Sequence, residues 1–163
     1  MRNAMIAELL TSMPPISLSS GKFFVPKRRF LSYMETFKGH TIYDLGAGMG
    51  QVSAALHTAG HKVVALDCNT REETEFPITL GNAISQSYES GSVLMFCRPS
   101  HGLWVEMAIE RALAFHPTAI VYVGLVKNLE YDLGAYLNKF KKKAKNIGAE
   151  NENLYVWEVK NEN

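Results

Sequence analysis

The segment Ile42-Tyr43-Asp44-Leu45-Gly46-Ala47-Gly48-Met49-Gly50 constrains what this chain can fold into more than any other. Ile42 and Tyr43, β-branched and aromatic, favour a strand. The three glycines at alternate positions let the backbone turn sharply and leave main-chain atoms open to a ligand that a Cβ would shield. Val52, Ala55, Leu56 and Ala59 follow at the i, i+3, i+4, i+7 spacing of a helix. A second strand, Lys62-Val63-Val64-Ala65-Leu66, ends at Asp67, 17 residues after Gly50. Strand, glycine turn, helix, strand and acid form the layout of a nucleoside-binding βαβ unit, with the acid placed to take two ribose hydroxyls.

The glycine register separates cofactor classes. A G-x-G-x-x-G dinucleotide turn needs glycine at position 51, where Gln51 stands. The pattern present, Asp44-x-Gly46-x-Gly48-x-Gly50, resembles motif I of the class I S-adenosylmethionine (SAM)-dependent methyltransferases, and Asp67 stands where that family keeps its ribose-binding acid. A tight βα turn with no ligand is the alternative for the same residues.

The rest of the chain alternates. The patterns predict strands at 41–45, 62–67, 76–80, 92–97 and 119–124, with helices at 27–37, 50–59, 82–88, 103–115 and 129–147. The 103–115 helix is apolar at Trp104, Val105, Ala108, Ile109 and Ala112 and stops at His116-Pro117. The 129–147 helix buries Leu133, Leu137, Phe140, Ala144 and Ile147 on one stripe, and one strand from 154 to 159 closes the chain. Alternation of this kind predicts an α/β fold, a three-layer αβα sandwich with a mostly parallel Rossmann-like sheet and an antiparallel terminal strand. The resembled family normally ends in an antiparallel hairpin, so the second terminal strand is either too short to read or trimmed away.

At 163 residues the chain makes one domain: an N-terminal helix and loop region over 1–39, and a Rossmann-like SAM-binding domain over 40–163. Two prolines, four serines and a glycine make 11–21 a loop, and residues 11–25 are a candidate lid. A net charge of +1 argues against a global field drawing the protein to nucleic acid or membrane. Two cysteines, Cys68 and Cys97, fit a reducing compartment. With no apolar run near the roughly 20 residues of a membrane span and no sign of a secretory leader, the expected localisation is cytoplasmic. Histidines without ligand spacing predict no metal.

The family resemblance implies a cofactor site at the carboxyl ends of the strands, where the sheet order reverses between the first and fourth strands. Gly46, Ala47, Gly48 and Gly50 would pass close to the methionine part and ribose of SAM. Asp44 would cap the glycine loop or orient the ligand's amino group, and Asp67 would accept both ribose hydroxyls. Cys68 and Asn69 would touch the adenine or ribose edge, or serve as turn residues. Gly81-Asn82-Ala83 looks like the family's Gly-Asp-Ala signature, with Asn82 as acceptor for the adenine amino group or as a helix N-cap, and Ile84 as an apolar wall. Cys97-Arg98-Pro99-Ser100-His101-Gly102 follows the fourth strand, where the family meets its acceptor. His101 would serve as a base and Arg98 as an anion clamp, or Ser100 or His101 caps the next helix and Arg98 is surface. The Asn-Pro-Pro-Tyr hallmark of amino-group methylases is absent.

Two basic clusters remain. Lys27-Arg28-Arg29 lies beside Phe23, Phe24, Phe30 and Tyr33; the family resemblance implies that this region folds over SAM or contacts the substrate, and basic and aromatic residues together could also grip single-stranded nucleic acid. Lys139, Lys141, Lys142, Lys143 and Lys145 would crowd a helix C-terminus, where cations favour the dipole. The expected function is a SAM-dependent methyltransferase acting by in-line displacement, with S-adenosylhomocysteine as product and an acceptor the sequence does not name. A non-catalytic SAM- or nucleoside-binding protein and a small nucleic-acid methylase are the alternatives; nucleic acid is not favoured, and a lone edge strand makes a homodimer possible.

Overall fold

The computed structural model describes residues 24, 26–69, 73–100, 102–125, 141–146 and 152–159. The elements are α1 (Arg28–Met34), a 3₁₀ turn (Glu35–Phe37), β1 (Thr41–Leu45), α2 (Gln51–Thr58), β2 (Lys62–Asp67), β3 (Ile78–Leu80), β4 (Val93–Cys97), α3 (Trp104–Leu113), β5 (Ala119–Leu125), β6 (Lys141–Asn146) and β7 (Glu152–Glu158). The strands form one seven-stranded sheet in the order β3-β2-β1-β4-β5-β7-β6. β1 through β5 run parallel, and β7 and β6 pair antiparallel at one end.

Period-two alternation divides the strand residues between two core layers. Ile42, Val93, Met95, Val121, Val123, Leu154 and Val156 face the layer holding Phe30 and Met34 of α1 and Val52 and Leu56 of α2. Tyr43, Leu94, Phe96, Ile120, Tyr122, Tyr155 and Trp157 face the layer closed by α3. The apolar stripe expected on α3 is the buried one: Trp104, Val105, Ala108, Ile109 and Ala112. Near-continuous apolar runs in β1, β4 and β5 match strands buried on both faces.

Three expectations need correction. No helix forms over 82–88: the Asn82 side chain accepts the Ile84 N–H at 3.1 Å, a local turn that competes with helix, and Tyr88 is drawn into the core. The helix expected over 129–147 does not reach its C-terminal end, because Lys141–Asn146 is strand β6; residues 126–140 lie outside the described part. Ala144 therefore pairs opposite Tyr155 instead of continuing a helical stripe, and Lys141, Lys142, Lys143 and Lys145 occupy an edge strand rather than a helix end, while Lys139 lies outside the described residues. The terminal strand is also not alone. β7 is flanked by β5 and β6, so the hairpin is complete and the edge belongs to β6. The segments 2–11 and 11–23 lie outside the described residues.

Gly50 shows why the third glycine is needed. It caps α2 at φ 81°, and a Cβ there would lie 3.0 Å from Phe76 Cβ and 3.1 Å from the Phe76 backbone nitrogen. Gly50→Ala therefore meets both left-handed strain and overlap, and should lose about 2–4 kcal/mol of stability by urea denaturation. A loss under about 1 kcal/mol would contradict this packing.

Candidate functional site

β1 and β4 are neighbours, while the chain steps outward from β1 to β2 and β3 on one side and from β4 to β5 on the other. Two adjacent strands whose connections diverge leave a crevice beyond their carboxyl ends. A cleft of about 320 Å³, open to solvent, lies there, lined by Phe24, Asp44, Gly46, Ala47, Met49, Gln51, Val52 and Cys97. Asp44, Gly46, Ala47 and Cys97 were expected at this place from sequence.

The glycine loop is held from below and from the side. Leu66 O accepts both the Gly46 and Ala47 N–H groups, at 2.9 and 3.0 Å, so the loop folds over the end of β2. The Gly48 N–H donates to Asp67 Oδ2 at 2.8 Å, and the Asn69 N–H donates to Asp67 Oδ1 at 2.9 Å. Asp67 thus braces the loop with one hydrogen bond to each oxygen, and each oxygen keeps a second lone pair. Gly46 is exposed at φ 75°, whereas Gly48 and Gly50 are buried, so the three glycines divide between presenting backbone to the cleft and packing the turn. Below Gly46 lies Trp104, whose ring would sit 3.3 Å from an added Cβ.

Asp44 is 2% exposed and accepts a hydrogen bond from Ser53 Oγ at 2.7 Å. It does not cap the glycine loop; its partner is the first turn of α2. Burial pushes its carboxyl up to about 6, against the lowering effect of the Ser53 hydroxyl, and the nearby Asp67 charge pushes the same way. The cleft therefore contains a desolvated carboxylate that accepts a hydrogen bond from a neutral donor, the Ser53 hydroxyl. A cation in the cleft would relieve that energetic penalty.

The other expected residues divide. Asp67 and Cys68 stand at the end of β2, and Asn82 and Ala83 follow β3, all on the carboxyl side of the sheet. Asn82 Oδ1 is engaged by the Ile84 N–H, and Ile84 is buried in the core instead of forming a ligand-facing wall. Gly81 is the tighter signal in that turn: a Cβ there would lie 2.6 Å from Leu66 Cδ2. Arg98 adopts a left-handed backbone, φ 44°, fixed by donation of its N–H to Val123 O at 2.7 Å. Ser100 does not cap α3 with its side chain; its carbonyl accepts the Trp104 indole N–H at 2.8 Å, and Leu103 holds the cap position. His101 lies outside the described residues. Cys68 and Cys97 form no disulfide, and no metal-ligand cluster occurs among the described residues. Ser53 is the site residue that the sequence reading did not single out, while Phe24 was read with the basic cluster and Trp104 only as part of a helix's apolar stripe; a serine in the first turn of the helix after the glycines was the available signal for Ser53.

No protein-family model and no curated protein matches this chain. Solved structures do. A Burkholderia thailandensis 1,6-didemethyltoxoflavin N1-methyltransferase with bound 1,6-didemethyltoxoflavin and S-adenosylhomocysteine covers 97% of this chain and 88% of its own, at TM-score 0.67 and 11% identity. Magnesium protoporphyrin IX methyltransferase from Synechocystis PCC 6803, solved with SAM, covers 79% of this chain and 73% of its own at TM-score 0.55 and 12% identity. Human N-acetylserotonin methyltransferase, in complex with SAM, covers 96% of this chain and 56% of its own at TM-score 0.57 and 12% identity. With the glycine turn, Asp67 and the 3-2-1-4-5-7-6 strand order on one sheet, this chain has the fold of the class I SAM-dependent methyltransferases.

Proposed function

We propose that this protein is a SAM-dependent methyltransferase. The observation that carries the reading is the cleft at the β1–β4 switch point, where a glycine loop braced by Asp67 meets the buried carboxylate of Asp44. The residues fit the cofactor chemically. Asp67 has lone pairs for two ribose hydroxyls, Gly46 exposes backbone, and Asp44 offers a negative charge to a ligand that carries an ammonium and a sulfonium. Ala47, Gly48, Gly50, Cys68, Asn82, Ala83 and Cys97 complete the cofactor side of this reading. When bound, SAM supplies a methyl group activated by its positive sulfur.

The chain's own task is then alignment of acceptor and methyl group and exclusion of water. Arg98, held in a strained conformation at the end of β4, is the candidate for gripping an anionic group of the acceptor, since such strain persists where the surrounding structure fixes it. His101 is the candidate base for an acceptor that must lose a proton. The acceptors named for the three structural relatives differ widely, so the fold supports methyl transfer without selecting the acceptor.

Calorimetry with SAM, S-adenosylhomocysteine and NAD tests the reading. The expected result is binding of both sulfur ligands and none of NAD. A folded protein that binds neither sulfur ligand would reduce the glycine turn to architecture.

A further inference from the structure

Trp104 opens α3, and its indole lies between the two turns that border the cleft. Side chains on a helix tilt toward the helix N-terminus, so a large ring at the first position of α3 reaches back to the carboxyl ends of the strands. Its benzo edge lies beneath the glycine loop: Cη2 and Cζ2 would be 3.3 and 3.7 Å from a Cβ added at Gly46. Its pyrrole edge holds the turn that follows β4. The Nε1–H donates to Ser100 O at 2.8 Å, and Cδ1 would be 3.7 Å from a Cβ added at Gly102. The ring also rests against Phe96 of β4, with centroids 5.7 Å apart, and the residue is 6% exposed.

A buried indole needs an acceptor, and a nearby carbonyl would satisfy that need without further meaning. What this leaves over is the pair of turns that the ring joins. Glycine stands at both ends, Gly46 at φ 75° and Gly102 at φ 147°, in backbone conformations that side chains rarely adopt. The two turns otherwise have separate supports. The Gly46 N–H donates to Leu66 O on β2, and the Arg98 N–H donates to Val123 O on β5. β2 and β5 flank the β1–β4 pair on opposite sides, so these supports do not meet. The indole is one rigid body touching both turns, and close packing passes a displacement of one to the other.

We propose that Trp104 is a positioning residue that fixes the turn after β4 against the glycine loop, so that a ligand seated on the glycine loop also sets the place of Ser100 and Gly102. That this turn meets the methyl acceptor rests on the methyltransferase reading; the mechanical link between the turns does not. Under that reading, cofactor binding arranges the acceptor side before the acceptor arrives, and by linkage the effect is reciprocal.

The test is proton–nitrogen correlation NMR of the whole chain, reading the backbone amides of Arg98, Ser100 and Gly102. Gly46→Ala, without ligand, presses a Cβ onto the ring and should shift these amides. Trp104→Phe keeps an aromatic ring but lacks the N–H and the far edge, and in that background Gly46→Ala should shift them about threefold less, or not at all. Each background is compared with itself, which removes the change in ring current. Saturating S-adenosylhomocysteine should give the same pattern, and comparison at saturation removes any difference in affinity. A merely structural role for Trp104 would lower the melting temperature without removing this transmission. Equal shifts with and without the indole, or no shift at the turn when Gly46→Ala is made in wild type, would overturn the proposal. If Trp104→Phe does not fold, Gly102→Ala read at the Gly46, Ala47 and Gly48 amides decides: shifts there support the link, and silence overturns it. A protein that shows the Gly46→Ala pattern but binds no S-adenosylhomocysteine would sink the cofactor reading and leave the link standing.

Discussion

Asp67→Ala should lower affinity for SAM and for S-adenosylhomocysteine by about 100-fold or more, since it removes both charge-assisted acceptors offered to the ribose. The side chain is 8% exposed and already holds the Gly48 and Asn69 N–H groups at 2.8 and 2.9 Å. Its loss therefore also leaves two donors without their acceptor, at about 1–3 kcal/mol each where water cannot reach them. The two consequences are separable. Thermal melting reports the brace, and calorimetry well below the melting temperature reports the ligand contact. If the alanine variant is folded at that temperature and binds both sulfur ligands like wild type, Asp67 is only a brace and the ribose assignment falls.

Asp44→Asn should stabilise the protein and weaken SAM binding at the same time. Burial raises the folded-state value of Asp44 to about 6, above its ordinary carboxylate range. A folded state that holds the proton more tightly than the unfolded chain loses stability as pH rises between those values. The deficit grows from about pH 4 to about pH 6 and is fully present above that, at about 3 kcal/mol. Asparagine keeps an acceptor for Ser53 Oγ and removes the ionisation. The variant should therefore melt several degrees above wild type at pH 8, and near it at pH 4. Cofactor binding moves oppositely. A cationic ligand in the cleft favours ionised Asp44, so wild-type affinity for SAM should climb as pH rises through 6 and then level off, while the asparagine variant shows no such climb. Equal melting temperatures at pH 8 would mean that Asp44 is better solvated than its burial indicates. A pH-independent affinity in wild type would remove the cation from its neighbourhood.

These two carboxylates show how far a sequence can be read. The position of Asp67 was legible because its signals are local (a strand ends, an acid follows, and the glycines stand at the expected interval before it), but its brace to Gly48, 19 residues back, was not. Asp44 was expected to cap the glycine loop or to orient a ligand's amino group, and its bond to Ser53 was not foreseen. Its hydrogen bond runs to Ser53, nine residues ahead, and depends on α2 packing over the face of β1 that carries Ile42. No periodicity announces such a contact. Similarly, Asn82 was read as an acceptor for the adenine amino group or as a helix N-cap, yet its side chain accepts the Ile84 N–H two residues on and no helix follows.

Arg98 and the 97–102 loop mark another boundary. The topological position was predictable from strand count, but the left-handed backbone at Arg98 is imposed by its hydrogen bond to Val123 on β5, 25 residues later.

By itself the sequence determined the βαβ unit at 41–67, the burial stripe of α3 and the parallel sense of the strands through β5, while their order rested on the family resemblance until the sheet was seen. Those features follow from β-branched runs, helical spacing and glycines that act over a few residues. Only the tertiary structure decided that Lys141–Asn146 is a strand. Lysine tolerates helix well, and the spacing of Leu137, Phe140, Ala144 and Ile147 mimics a helical stripe. Backbone pairing with β7 outweighs that local preference, because the main-chain groups of a segment beside an open strand find partners there that no single-residue propensity records.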